Sequence, residues 1–160
     1  MKIFGFILAS LYFFFCIYSS EWHFINTVDL IFHEAGHTLV PTFIFGEIAT
    51  ALGGSIFQIF IPLICAVYFL RRKDIFSFAI LMMWVAENIA NVSRYASDAL
   101  KMELPLLGGD NVIHDWNFIL GNFNLLMKAE LIASILYALS WVIFVYVFFL
   151  GISTLLQKRV

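Results

Sequence analysis

The run LIASILYALSWVIFVYVFFLGISTLLQ at residues 131–157 carries no charged side chain and is followed by Lys158 and Arg159. It is longer than the ~20 apolar residues that a helix needs to cross the hydrocarbon core of a bilayer. Basic residues are costly inside the bilayer and are expected where a helix leaves it. This stretch therefore predicts a membrane-spanning helix near the carboxyl end of the chain.

The composition extends that prediction to the whole chain of 160 residues. Hydrophobic residues make up 62 % and charged residues 12 %, against about 45–50 % and about 25 % in soluble domains. The mean hydropathy is +0.95. So few charges cannot cover a soluble fold, and so apolar a chain is not disordered. A net charge of −2 gives no attraction to nucleic acid. We predict an all-α integral membrane protein with the lipid bilayer, not nucleic acid, as its partner.

Other apolar runs, at residues 3–18, 48–70 and 75–86, are also free of charged residues. The last turns polar at Glu87 but is predicted to continue as a helix to about residue 100. Lys2 followed by an apolar run is also typical of a secretory signal peptide. A retained span is favoured, because cleavage after residue 19 or 20 would put Ile17 or Tyr18 at a position that prefers a small residue.

Residues 24–45 are long enough to cross a membrane but carry several polar and ionisable side chains. Basic residues collect on the cytoplasmic side of membrane proteins. If this piece re-enters or lies shallow, six of the nine basic residues face the cytoplasm together, namely Lys2, Arg71, Arg72, Lys73, Lys158 and Arg159. If it crosses, Lys2 and the basic cluster at 71–73 fall on opposite sides. We predict one polytopic domain, residues 1–160, with about four transmembrane helices, a re-entrant or short helix, and both termini cytoplasmic.

The most specific motif in the chain is His33-Glu34-Ala35-Gly36-His37, which matches the pattern H-E-x-x-H. On a helix the two histidines share one face, so that both imidazoles can bind one Zn²⁺. Glu34 lies beside them and can take a proton from a zinc-activated water. Ionisable residues at membrane depth are costly and mark functional sites. The motif therefore predicts a zinc site with Glu34 as its catalytic base, and the distribution of basic residues puts this site toward the extracytoplasmic side.

Asp29 lies one turn before His33, where a carboxylate can accept the second N–H of the imidazole and orient it. The alternative role for Asp29, shared with Asn26 and Thr27, is to cap the start of the helix. Pro41 is predicted to end or kink the helix after His37.

The segment Phe32-His33-Glu34-Ala35-Gly36-His37-Thr38-Leu39 resembles the metal-binding helix of site-2-protease-like membrane zinc metallopeptidases. The resemblance implies that His33 and His37 bind zinc and that Glu34 is the catalytic base. In that family an Asp on a later span completes the site. The chain lacks the Asn-Pro…Leu-Asp-Gly pattern that carries this third ligand in the family.

The third ligand has therefore to be sought among the other acids and histidines. His114 is favoured because imidazole suits zinc, and Gly108 and Gly109 provide a turn that can fold its segment over the bundle. The alternatives are Asp115, which can also cap the next helix, and Asp98 or Glu87.

Glu87, Asn91, Arg94 and Asp98 recur at helical spacing and form one stripe. The stripe is either a bonded packing face or part of the site. Arg94 is expected to bind a substrate carboxylate or carbonyl, or to pair with Asp98. Gln58, one turn after Gly54, either hydrogen-bonds a bound peptide or lies in a close helix contact formed by the small residues.

These residues together favour a membrane-embedded zinc metalloprotease that cleaves membrane or membrane-proximal peptides. One alternative is a zinc hydrolase of a lipid or of a different amide, which would use the same groups. Another is a metal-binding or metal-transporting membrane protein, although transporters typically show internal repeats and none is visible here.

Overall fold

The computed structural model describes residues 2–105, 107 and 112–157, and the described residues form helices and loops without a β-strand. The helices are α1 (Lys2–Tyr18), α2 (Phe24–Leu39), α3 (Thr42–Phe45), α4 (Glu47–Arg71), α5 (Ile75–Ser97), α6 (Asp115–Asn122) and α7 (Ala129–Gln157), and a 3₁₀ turn, Leu126–Lys128, precedes α7. The all-helical prediction is confirmed. The turn predicted at Gly108 and Gly109 and the basic pair Lys158 and Arg159 lie outside the described residues.

Helices α4, α5 and the continuous helical segment Leu126–Gln157 are long and apolar enough to cross a membrane. Helix α1 is also apolar but has only 17 residues. Helix α5 continues well past Glu87, as the sequence predicted, because the polar residues in its second half are buried against other helices. Helix α2 ends at Leu39 just before Pro41, since proline disfavours a helical conformation in the residue before it.

Helix α5 lies at the centre of the bundle, in contact with α1 and α7 on one side and α4 on another. The core beside α1 and α7 is apolar and combines large side chains with small ones: Phe6, Phe13, Phe144 and Val147 pack around Ala79, Ala86 and Ala90. Between membrane helices such small residues let the backbones approach closely and give the helices their packing energy. Several polar residues of α5, among them Glu87, Asn88 and Tyr95, face α2, α4 or α6 instead.

Helices α2 and α4 pack unusually closely where Gly36 meets Gly53. A Cβ atom built on Gly36 would clash with the carbonyl oxygen of Gly53 and lie 2.6 Å from its carbonyl carbon. Because the obstacle is backbone, no side-chain rotation relieves it. Gly36 is the second x of the H-E-x-x-H motif, so this contact presses the motif helix directly onto α4.

The close contact predicts that Gly36→Ala destabilises the protein. The two helices must separate, at a cost of about 1–3 kcal/mol or more. Gly5→Ala is the matched control, because a Cβ on Gly5 meets no atom within 4 Å and alanine favours a helix by about 1 kcal/mol. Thermal unfolding of both variants in detergent checks the prediction, and a Gly36→Ala protein as stable as Gly5→Ala would contradict the observed packing.

Candidate metal centre

Two histidines of α2 and an aspartate of α6 bring their ligand atoms together at one point. Asp115 Oδ2 lies 3.0 Å from His33 Nε2 and 3.2 Å from His37 Nε2. The three potential ligand atoms all lie within 4.8 Å of one another. The histidines are one helical turn apart, as the motif predicted, and the carboxylate reaches them from a helix that begins 78 positions after His37 in the chain.

The second ring nitrogen of each histidine has its own partner on α4. Nδ1 of His37 lies 2.8 Å from the carbonyl oxygen of Thr50, and Nδ1 of His33 lies 2.8 Å from Oε1 of Gln58. A backbone carbonyl only accepts hydrogen bonds, so His37 Nδ1 must carry a proton and donate it. In a neutral imidazole Nε2 then holds a lone pair, which points at the carboxylate of Asp115.

The His33 ring packs against Gly54, where a residue with a side chain would leave no room for it. A Cβ at Gly54 would lie 2.5 Å from His33 Nε2 and 2.6 Å from its Cε1. The small residues that begin the apolar part of α4 thus serve a close helix contact, and part of that contact is made by the imidazole itself.

Asp115 is held in place by α5 and by the start of α6. The hydroxyl of Tyr95 accepts a hydrogen bond from the Asp115 backbone N–H at 3.1 Å and donates one to Asp115 Oδ2 at 3.4 Å. On the next residue, Trp116 Nε1 donates to Ser55 Oγ on α4 at 3.1 Å. These bonds fix the first turn of α6 against α4 and α5, and so direct the carboxylate toward the histidines.

The structure places His114 away from the cluster, although it was the favoured third ligand. Its Nδ1 accepts from the backbone N–H of Asn117 and caps α6, and its Nε2 faces Asp98 Oδ2 at 3.2 Å. Asp98 also accepts the backbone N–H groups of residues 103 and 104, both at 3.0 Å. His114 and Asp98 therefore tie together the two ends of the loop between α5 and α6, and the alternative Asp115 joins the cluster.

Glu87 and Asp29 form a separate buried group between α2 and α5. Glu87 Oε1 accepts from Asn26 Nδ2 at 2.9 Å, and Asp29 Oδ1 accepts from Trp84 Nε1 and Asn88 Nδ2 at 2.8 and 3.0 Å. Asp29 does not take the predicted bond from His33, because Gln58 occupies that position. The residue that caps α2 is His23, and Asn26 supports the cap by accepting the His23 backbone N–H.

Arg94 forms hydrogen bonds within the protein, to backbone carbonyls of α1. One of its terminal nitrogens, Nη2, donates to the carbonyl oxygens of Cys16 at 2.8 Å and Ile17 at 2.6 Å. These carbonyls belong to the last turn of α1, where a cation is favoured by the helix dipole. No ion pair joins Arg94 to Asp98 within the described part of the chain, which corrects the predicted pairing.

Glu34 and the cluster open into one cavity of about 540 Å³. Its polar wall includes His33, Glu34, His37, Gln58, Arg94, Tyr95 and Asp115, and its apolar wall includes Leu30, Leu104, Leu107, Val112 and Ile113. Glu34 is half-buried and interacts electrostatically with His37 and Tyr95. The cavity has the size and mixed lining of a small-ligand site.

The charges in the cluster depend on one another. Burial raises the pKa of Asp115, but its hydrogen bonds with His33 and His37 outweigh that effect and hold the pKa below its usual range. The hydrogen bond with Asp115 raises the pKa of His37, against the opposing effect of burial. The carboxylate thus favours positive charge on its neighbours. Two lone pairs and a carboxylate at this distance are stable only with a proton or a metal cation between them.

The sequence does not predict the roles of Thr50 and Tyr95 beside the cluster. Thr50 contributes only its backbone carbonyl, which carries no sequence signal. Tyr95 follows Arg94 on α5 and resembles the many other aromatic residues of the chain, so that only the approach of α6 reveals its role. The class defined by the fold and the cluster is a helical protein with three helices long and apolar enough to cross a membrane and a His-His-Asp group. No protein-family model, curated protein or solved structure matches the chain.

Proposed function

We propose that the protein is a membrane-embedded zinc metalloprotease whose zinc ligands are His33, His37 and Asp115. The observation that carries the proposal is the convergence of two imidazole Nε2 atoms and one carboxylate oxygen. Zinc with bonds of about 2.0–2.2 Å to nitrogen and oxygen places tetrahedral ligands about 3.3–3.6 Å apart. The separations of 3.0 and 3.2 Å from Asp115 Oδ2 are within a few tenths of an ångström of that geometry.

The donor set also suits hydrolysis. Three protein ligands of nitrogen and oxygen type leave a fourth position open, as in catalytic zinc sites. Zinc bound there would supply Lewis acidity, lowering the pKa of a water and polarising a carbonyl. Glu34 is close to the cluster but is not one of its converging ligands. Its carboxylate takes the proton of the attacking water and delivers it to the leaving amine.

The hydroxyl of Tyr95 is a neutral donor beside the cluster. It lines the cavity and donates to Asp115, so that it keeps the carboxylate oriented while the substrate binds. Arg94 lines the same cavity but holds α1 through one of its nitrogens. The guanidinium has further N–H groups for a substrate carbonyl or carboxylate.

A membrane or membrane-proximal peptide is the substrate class that the cavity fits best. Exposed apolar side chains surround the cavity at residues 22, 107, 112 and 113, and they are exposed by 65, 62, 46 and 69 % respectively. An apolar rim beside a polar site suits a substrate segment that extends from the lipid and places one of its peptide bonds beside the zinc ligands.

We further propose that α1 is a fourth span and that α2 lies re-entrant or shallow beside α4. The 17 residues of α1 extend about 25 Å, slightly less than the ~30 Å core, which a bilayer can accommodate by thinning. This arrangement puts both termini in the cytoplasm and the cluster toward the other side. Tags at each terminus are expected to be accessible from the same side of sealed vesicles, and opposite-sided tags would contradict the four-span arrangement.

The zinc content of the purified protein tests the proposed function. The wild-type protein in detergent is expected to hold one zinc per chain, and His33→Ala is expected to lose it because only two ligands remain. His23→Asn is the matched control, since His23 lies outside the cluster at the start of α2 and asparagine is a favoured cap. A folded wild-type protein that does not bind zinc would refute the proposal.

A further inference from the structure

Behind His33 a chain of side-chain amides runs into the buried interface between α4 and α5. Gln58 Oε1 lies 2.8 Å from His33 Nδ1, and Gln58 Nε2 donates to Asn88 Oδ1 at 3.3 Å. Asn88 Nδ2 donates in turn to the backbone carbonyl of Trp84 at 3.1 Å and to Asp29 Oδ1 at 3.0 Å. Gln58, Asn88 and Asp29 are exposed by only 3, 0 and 1 %, so no bulk water competes for these bonds.

The hydrogen bond to the Trp84 carbonyl, at the end of this series farthest from His33, determines the orientation of both side-chain amides. The carbonyl of Trp84 can only accept, so the amide nitrogen of Asn88 must face it. Asn88 Oδ1 therefore faces Gln58 and must receive the nitrogen of that amide. If the Gln58 amide were rotated by half a turn, its oxygen would face the oxygen of Asn88 in a buried site. Rotating the Asn88 amide as well would remove that clash but would set the Asn88 oxygen against Trp84 O and Asp29 Oδ1. Each alternative leaves buried acceptors without a donor, at a cost of about 1–3 kcal/mol per group.

We propose that Gln58 and Asn88 are positioning residues that fix the tautomer of His33. With Gln58 Oε1 held toward the ring, His33 Nδ1 must donate, so that in the neutral imidazole the lone pair is on Nε2, facing Asp115 Oδ2. This inference rests on the proposed zinc site and deepens it, because it names what prepares one of the two imidazoles for the metal. It also gives Asp29 an indirect role: its carboxylate accepts a hydrogen bond from Asn88, and not from His33 as the sequence suggested.

The two histidines are prepared in different ways, and this difference makes the inference testable. His37 is oriented by the Thr50 backbone carbonyl, which no substitution removes. His33 depends on two side chains that can be replaced. A second bond from Gln58 Nε2, to Asn91 Oδ1 at 3.3 Å, does not set the orientation, because no backbone carbonyl among the described residues anchors the Asn91 amide. Asn91 is therefore a natural control.

The decisive comparison is between Gln58→Leu and Gln58→Glu. Leucine fills a similar volume but offers no acceptor to His33, so zinc affinity is expected to fall about 10–100-fold. The carboxyl group in Gln58→Glu still offers an oxygen that accepts from His33 Nδ1, so affinity is expected to stay near wild type. A role in packing alone predicts the reverse order, because a buried leucine is better tolerated than a buried carboxyl.

Zinc affinity is measured by chelator competition on the full chain in detergent, and Co²⁺ substitution reports the ligand geometry through its visible spectrum. Asn88→Leu is expected to weaken zinc binding in the same direction, which provides a second variant if Gln58→Leu does not fold. Asn91→Ala is expected to bind as wild type does. If the wild type binds zinc and Gln58→Leu matches it in affinity and spectrum, the positioning role is refuted. If the wild type binds no zinc, the proposed function itself fails.

Discussion

The Glu34→Gln variant is expected to keep its zinc and to lose about 10²–10⁴-fold or more in peptide hydrolysis. Glu34 lies beside His33 in the sequence and lines the same cavity, but the group of converging ligand atoms consists of His33, His37 and Asp115. A glutamine preserves the shape of the side chain and removes only its ability to take up a proton. Binding and catalysis are thereby separated in a single substitution.

The measurement is the zinc content of the purified variant together with its cleavage of a library of membrane-segment peptides, read by mass spectrometry. Glu21→Gln is the matched control, because Glu21 also lines the cavity but is exposed and lies before the motif helix. Glu21→Gln is expected to cleave as the wild type does. Full activity in Glu34→Gln would remove the proton-transfer role and favour a metal-binding or transport function for the cluster.

The helical architecture could be predicted from the sequence because it depends on local composition. The uncharged runs at 48–70 and 131–157 became α4 and most of α7 within a few residues. Helix α5 was harder to predict, since it turns polar at Glu87, but helical spacing of the later polar residues indicated its continuation to Ser97. Hydropathy cannot establish how many of these helices cross a bilayer, and α1 and α2 are the segments on which that number depends.

The motif histidines could be predicted for the same reason, since the spacing of His33 and His37 on a helix is a local property. Which residue becomes the third member of the cluster depends on contacts between segments far apart in the sequence. His114 and Asp115 are neighbours, and a shift of one residue at the start of α6 exchanges which side chain caps the helix and which points at α2. Metal-ligand preference favoured His114, but the Asn117 N–H and Asp98 engage that imidazole instead.

The hydrogen-bond partners of Arg94 and Gln58 could not be predicted from the sequence for the same reason. Sequence spacing placed Arg94 one turn from Asp98 and suggested an ion pair, but the carbonyl oxygens at the end of α1 are the closer partners. For Gln58 the sequence allows either a hydrogen bond to a bound peptide or a place in a close helix contact, whereas its amide oxygen lies 2.8 Å from His33 Nδ1. Polar residues buried between helices must satisfy one another, and which pairs form depends on helix packing that no local pattern records.

Asp115→Asn is expected to weaken zinc binding by orders of magnitude, whereas His114→Asn is expected to leave it near wild type. The first change keeps the shape of the side chain but removes the charge that the two imidazoles face at 3.0 and 3.2 Å. The second removes the imidazole that the sequence favoured as a ligand, and asparagine can still cap α6 in its place. The two substitutions are adjacent in the chain and introduce the same residue.

Chelator competition on both variants in the same detergent measures the difference, with thermal unfolding of each to show that the bundle is intact. Loss of zinc in His114→Asn alone would mean that the imidazole, not the carboxylate, is the ligand, and that α6 is turned relative to the structure described. Loss in both would assign the effect to the docking of α6, because the His114–Asp98 contact holds the loop that carries Asp115. Loss in Asp115→Asn alone is the result that the geometry requires, since among the described residues only that carboxylate meets both histidines.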